Sequence, residues 1–171
     1  FLEKIKLFNS NLRIIDEAFE YLIPQVSKKK EGQFFTPRPV EEMVVKMLNP
    51  KVNEFVIDPA CGSAGFLLHS VMWVAGGVIS GEPLTERARN FAQTKIYGID
   101  FAKKAVKIAK AINLIVGDGK SHIYKDNSLA PHTWGDETKS GLKYRLLRFS
   151  DPDKDKKNQK KSPITKRIGL Y

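Results

Sequence analysis

The chain has one cysteine, Cys61, among its 171 residues. A lone thiol closes no internal disulfide, so burial and hydrogen bonding must hold the fold, in keeping with a reducing compartment. No apolar run reaches the roughly 18 residues of a membrane span, and the first residues lack the basic-then-apolar order of a secretory leader. A soluble, cytoplasmic protein without a membrane partner is therefore expected. Histidine is scarce, with three in all, and no His/Cys set has metal-ligand spacing, so no metal is expected. There is no internal repeat. Acidic residues are outnumbered, 19 against 29 lysines and arginines, which leaves a formal charge of +10. A surface of that sign attracts a polyanion such as DNA or RNA, although charge alone does not separate a nucleic-acid enzyme from a binding module. With 42% hydrophobic residues, the length is enough for one sizeable core.

Against these absences stands the stretch 54–66. Phe55-Val56-Ile57 has the character of a short buried strand, Asp58-Pro59 halts it, and Gly62 and Gly65 permit a tight turn. Leu67, Leu68, Val71 and Met72 recur at helical spacing, which predicts a helix from about Ser63 or Ala64. Glycines admit a close ligand, free N–H groups at a helix start attract negative charge, and a carboxylate at a strand's carboxyl end can take hydroxyls or a cation. A Gly-x-x-Gly turn with no ligand fits the same spacing. Cys61 has no neighbouring His or Lys to activate it, so a small turn residue is the better reading than a nucleophile.

A second strand, Lys95 to Asp100, also ends in a carboxylate. At that place Asp100 could accept both ribose hydroxyls of an adenosine-containing ligand, cap the following helix, or do both. Phe101, Ala105, Ile108, Ala109 and Ile112 give that helix its apolar face, and Lys103, Lys104, Lys107 and Lys110 a solvated one. Leu114-Ile115-Val116 reads as a third strand, and Gly117-Asp118-Gly119 as the turn after it. Helices are expected over Pro39 to Leu48 and Thr85 to Gln93. His69, His122 and His132 read as packed or loop histidines, and Trp134 as a cover for the sheet rather than a platform for a base.

Residues 1–30 carry Leu12, Ile15, Phe19, Leu22 and Ile23 on one helical face, with Pro24 ending it. They are expected to be the end of an N-terminal helical domain, followed by an incomplete Rossmann-like domain over 31–150 and a lysine-rich loop or tail over 151–171. Because the chain starts at Phe1 without Met, it reads as part of a longer protein.

The string D-P-A-C-G-S-A-G-F closely resembles the cofactor motif of S-adenosylmethionine-dependent DNA methyltransferases that modify the exocyclic amine of adenine. The family usually has Gly where this chain has Ala64. G-Q-F-F-T-P-R-P-V, residues 32–40, is similar to the segment before that motif in the M (modification) subunits of type I restriction-modification systems, and Asp126-Asn127-Ser128-Leu129 resembles their continuation. The resemblance covers about residues 12–150. It implies an α/β, Rossmann-like methyltransferase fold, here its first three strands, with S-adenosylmethionine as cofactor. It also implies double-stranded DNA, specificity and restriction subunits as partners. Carried over position by position, the implied cofactor contacts are Gln33, Phe34, Thr36 and Pro37 at the methionine end. Asp58, Pro59, Ala60, Cys61, Gly62, Ser63, Gly65 and Phe66 form the central turn. Asp100 and Phe101 serve the ribose side, and Asp118 and Gly119 lie beside the adenine. Thr36 could equally cap the helix that follows it.

Methyl transfer to an exocyclic amine uses an Asn/Asp-Pro-Pro-aromatic motif in this family, with oxygens to take the amine hydrogens and a ring to stack on a flipped base. The chain's Asn49-Pro50, Asp58-Pro59 and Asp151-Pro152 are followed by Lys, Ala and Asp, so no catalytic residue is assigned. A donor-binding but inactive fragment, and a basic DNA-binding or assembly module, stand as alternatives. An NAD-type dehydrogenase is disfavoured because G-x-G-x-x-G is absent after the first strand.

Overall fold

The structure is a computed structural model that describes residues 36–76, 84–116 and 122–143, and 165–167 as a strand. Its described elements run α1 (Arg38–Leu48), β1 (Phe55–Asp58), α2 (Gly65–Val74), α3 (Glu86–Thr94), β2 (Ile96–Asp100) and α4 (Lys103–Val116). They continue with β3 (Ile123–Lys125), a 3-10 turn at Pro131–Thr133, α5 (Asp136–Lys143) and β4 (Thr165–Arg167). The four strands form one sheet in the order β3-β2-β1-β4, every pairing parallel. The α/β, parallel-sheet expectation is met.

Alternation along the strands explains why both faces are covered. Val56, Ile96 and Ile123 point to a core shared with Leu67, Val71, Phe91, Ala109 and Ile112 from α2, α3 and α4. Their neighbours Ile57, Tyr97, Ile99 and Tyr124 point to the other face, where Trp134, just after the 3-10 turn, and Leu142 of α5 close a second cluster. Successive residues on opposite faces are what a doubly covered parallel strand requires. Trp134 is buried and donates from Nε1 to the Asn127 carbonyl at 2.7 Å, so it covers the sheet as expected.

Two expectations are corrected. Leu114-Ile115-Val116 is not a strand; it is the last turn of α4, and the third strand is Ile123–Lys125. The run is β-branched enough to suggest a strand, but Val116 continues the buried series Ala105, Ala109, Ile112 at helical spacing, and packing against the sheet decides the outcome. The expectation of only three strands also fails. Thr165–Arg167, inside the stretch read as a lysine-rich tail, pairs in parallel with β1, with Val56 opposite Lys166. Three residues with lysines close by give little periodicity to read, whereas the open backbone edge of β1 offers a full row of partners.

The order places β2 and β3 on one side of β1 and β4 on the other. The chain thus reverses its direction of sheet growth at β1, a switch point of the kind beside which open α/β sheets bind ligands at the carboxyl ends of their strands. Leu67, fully buried at the centre of the larger core, is a direct probe of this packing. Leu67→Ala is expected to lower the unfolding free energy by about 3 kcal/mol, read from urea unfolding with an unchanged m value.

Candidate functional site

The turn between β1 and α2 is built by a short chain of backbone bonds. Asp58 ends β1 and its Oδ1 accepts from the Ala60 N–H at 3.0 Å. The Cys61 N–H donates to the Ile99 carbonyl of β2 at 2.9 Å, and the Ala64 N–H donates to the Cys61 carbonyl at 2.6 Å. Gly62 (φ 50°) and Ala64 (φ 74°) both take the left-handed conformation. At Ala64 that gives a physical reason for the glycine usual in the resembled motif. Beside Gly62 the space is open, with no atom within 4 Å of where a Cβ would stand.

Asp100 binds this turn to the end of β2. Its Oδ2 accepts from the Gly62 N–H at 2.9 Å and its Oδ1 from the Ala102 N–H at 2.7 Å, just ahead of α4. Each oxygen keeps a second lone pair for another donor. The Asp100 carbonyl accepts from the Asp126 N–H at 3.1 Å, so the end of β3 joins the same edge. From the loop after β3, the Ser128 hydroxyl donates to the Pro59 carbonyl. The carboxylate of Asp126 accepts from Thr138 Oγ1 at 2.5 Å and from the Gly135 N–H at 3.2 Å, which holds that loop against the start of α5.

The charge state of the turn follows from its burial. Asp58 is 5% exposed, and desolvation pushes its carboxyl from 3.8 up to about 7, helped by the negative charges of Asp100 and Glu41 and opposed by the Ala60 hydrogen bond. Burial and the same acidic surroundings hold the Cys61 thiol well above its usual range, which removes the nucleophile reading. Phe101, next after Asp100, is 71% exposed, and Lys125 Nζ stands 5.5 Å from its ring centroid.

The structure thus brings Asp58, Pro59, Ala60, Cys61, Gly62, Ser63, Gly65 and Phe66 into one strand-turn-helix, with Asp100 and Phe101 on the adjoining strand end. Thr36 and Pro37 lie at the head of α1; Pro37, not Thr36, occupies the N-cap, and no side chain caps it. Gln33, Phe34, Asp118 and Gly119 lie outside the described residues. One pair escaped the sequence reading. Glu41 of α1 and His69 of α2 are both buried, with Oε2 and Nε2 3.3 Å apart. The signal was available, because Glu41 falls one turn before Val45 on the apolar stripe of α1, where a carboxylate needs a partner.

A model of the N-6 DNA methylase family matches residues 11–160. The chain belongs to this family. It is 30% identical over 127 residues to the type II restriction enzyme and methyltransferase RM.BcgI of Heyndrickxia coagulans, a match covering 74% of this chain and 19% of that protein. It is 30% identical over 101 residues to the type I restriction enzyme EcoEI methylase subunit of Escherichia coli, covering 58% and 20%. Among solved structures, a crystal structure from Vibrio vulnificus YJ016, assigned as the modification subunit of a type I restriction enzyme, superposes with a TM-score of 0.52 at 25% identity. That match covers 74% of this chain and 25% of the solved one. The chain therefore spans about a fifth of the length of these relatives and a quarter of that structure. Among the described residues no helix is long and apolar enough to cross a membrane.

Two outcomes test the turn itself. Gly62→Ala meets no atom, so only its left-handed backbone is penalised, and a loss of about 1–2 kcal/mol in unfolding free energy is expected from denaturant titration. The second concerns Asp58, whose folded-state pKa lies above its unfolded value. Between about pH 4 and about 7 the unfolded chain gives up this proton while the folded chain keeps it, so stability falls as pH rises through that window and levels off above it. The stability difference between wild type and Asp58→Asn, followed by urea unfolding across the window, should decline with pH; a flat difference would contradict the placement of Asp58.

Proposed function

We propose that the chain is the donor-binding part of an adenine-specific DNA methyltransferase, of the kind that serves as the modification subunit of a type I restriction-modification system. The observation that carries this reading is the link from Asp100 Oδ2 to the Gly62 N–H, 2.9 Å long, which sets two strand-end carboxylates around an open glycine turn in a chain of this family. The residues present fit S-adenosylmethionine. Asp100 has lone pairs left for ribose hydroxyls, Phe101 offers an exposed ring to the adenine, and the open space beside Gly62 admits the chain between ribose and methionine. Asp58, once ionised, complements the donor's positive charge. Thr36 and Pro37 would meet the methionine end, with Gln33 and Phe34 beside them, and Asp118 and Gly119 would lie by the adenine.

The bound donor supplies an electrophilic methyl group on a sulfonium, so transfer is a direct displacement in which the adenine nitrogen gains the carbon, sulfur keeps the bonding electron pair, and the nitrogen loses a proton. What this chain's residues contribute is alignment of the donor. The Asn/Asp-Pro-Pro-aromatic motif that holds the adenine is not in the sequence. For this chain alone the reading is donor binding without methyl transfer. In the whole protein the partners would be double-stranded DNA, which the +10 charge suits, and specificity and restriction subunits, in the cytoplasm.

Calorimetric titration with S-adenosylmethionine tests this. Saturable binding is expected for wild type and is lost in Asp58→Ala and Asp100→Ala. Wild-type affinity should strengthen as pH rises toward about 7, because ionised Asp58 meets a cationic ligand, and then level off. A folded wild-type chain that takes up no donor would refute the proposal.

A further inference from the structure

Glu41 and His69 belong to none of the motifs that mark the donor site, yet they stand directly behind it. Gly65 and His69 lie one turn apart on α2 and so share a face. A Cβ on Gly65 would stand 2.0 Å from Glu41 Oε1 and 2.6 Å from its Cδ, so the carboxylate fills the space that this glycine leaves open at the first residue of α2. His69, at 3.3 Å from Oε2, completes the slot; the two side chains are 11% and 4% exposed. On the other helix, the Glu41 N–H donates to the Pro37 carbonyl at 3.2 Å, which places Glu41 in the first turn after Thr36-Pro37. Glu42, next to it, is exposed and pairs with Lys46 instead.

A buried acid–histidine pair is a poor way to gain stability, since apolar residues of equal volume usually do as well; its best-attested use is to fix register. Here the register is that of α1 on α2. Because Thr36-Pro37 heads α1 and the glycine turn heads α2, the depth at which Glu41 enters the Gly65–His69 slot sets where the first segment stands over the second. We infer that Glu41 is a positioning residue for the amino-acid end of the donor, acting through the placement of Thr36-Pro37 over the Gly62–Gly65 turn. This deepens the donor-binding reading and rests on it.

The test is a double-mutant cycle on the full chain, with Glu41→Ala, Gly65→Ala and the pair combined. Each variant is titrated with S-adenosylmethionine and with 5′-methylthioadenosine, which lacks the amino-acid end; circular dichroism monitors folding. Each single change is expected to weaken donor binding about tenfold, since either one empties the slot of its carboxylate, and the double variant should lose no more than the worse single one. Binding of 5′-methylthioadenosine should be unchanged in Glu41→Ala, the variant outside the donor-binding turn. Glu41→Gln, which keeps the length and the packing against His69 but removes the charge, answers the same question with a several-fold loss should the alanine variant not fold. Wild-type donor affinity in Glu41→Ala, equal weakening of both ligands in that variant, or losses that multiply in the double variant would each overturn the inference. A wild-type chain that binds neither ligand would overturn the donor reading first, and this inference with it.

Discussion

The bond from the Gly62 N–H to Asp100 Oδ2 is the constraint on which the carboxyl edge of this sheet depends. Gly62 belongs to the turn after β1 and Asp100 to the end of β2, 38 residues later, so the bond registers two separately formed units against each other. The same aspartate accepts from Ala102 ahead of α4 and, through its carbonyl, from Asp126 after β3. Three strand ends and one helix start therefore converge on a single residue. A carboxylate suits this position because two oxygens accept several donors at once and charge-assisted bonds to N–H groups are strong. Without it, the left-handed Gly62 would have no partner to hold it in a conformation that exposes its open face.

Convergence of acids has an electrostatic cost that the fold carries at Asp58. Buried, and facing the charges of Asp100 and Glu41, its carboxyl retains a proton up to about pH 7. The turn is in this sense under-charged until something positive arrives, and a cationic ligand would recover part of the desolvation cost. Cys61, in the same surroundings, is pushed further from ionisation. Burial first, and the neighbouring acids second, thus explain both why the acid is poised near neutrality and why the thiol is inert.

The local parts of this arrangement were readable in the sequence. Phe55-Val56-Ile57, the halt at Asp58-Pro59, the two glycines and the helical recurrence of Leu67, Leu68 and Val71 are nearest-neighbour signals, and the strand and helix lie where those signals put them. Signals failed where tertiary packing chose between two allowed states. Leu114-Ile115-Val116 has strand composition but extends the buried stripe of α4, and Ile123–Lys125 is too short to show a period. β4 is defined by the edge it joins rather than by its own three residues. Asp100 was recognised as a carboxylate at a strand end, but nothing in its spacing announced that its partner would be Gly62. The Glu41–His69 pair spans two helices and was invisible to any single window, although the misplaced acid on an apolar stripe was a clue that a partner existed.

On the proposed reading, these elements let the groups that would align a donor gather in a short stretch of chain. On this reading, a donor held at the carboxyl ends of β1 and β2 draws on adjacent strands, on the turns that leave them, and on α1 seated against α2, with Gln33, Phe34, Asp118 and Gly119 completing its contacts. Orienting a base against the methyl group demands groups on the far side of the donor, across the β1–β4 switch, where a second set of strand ends must contribute. β4 reaches that side as three residues paired to β1. On that reading the division between the two tasks would run along the switch itself: one side of β1 would carry the groups that align a methyl donor, and the other would be where an acceptor is held.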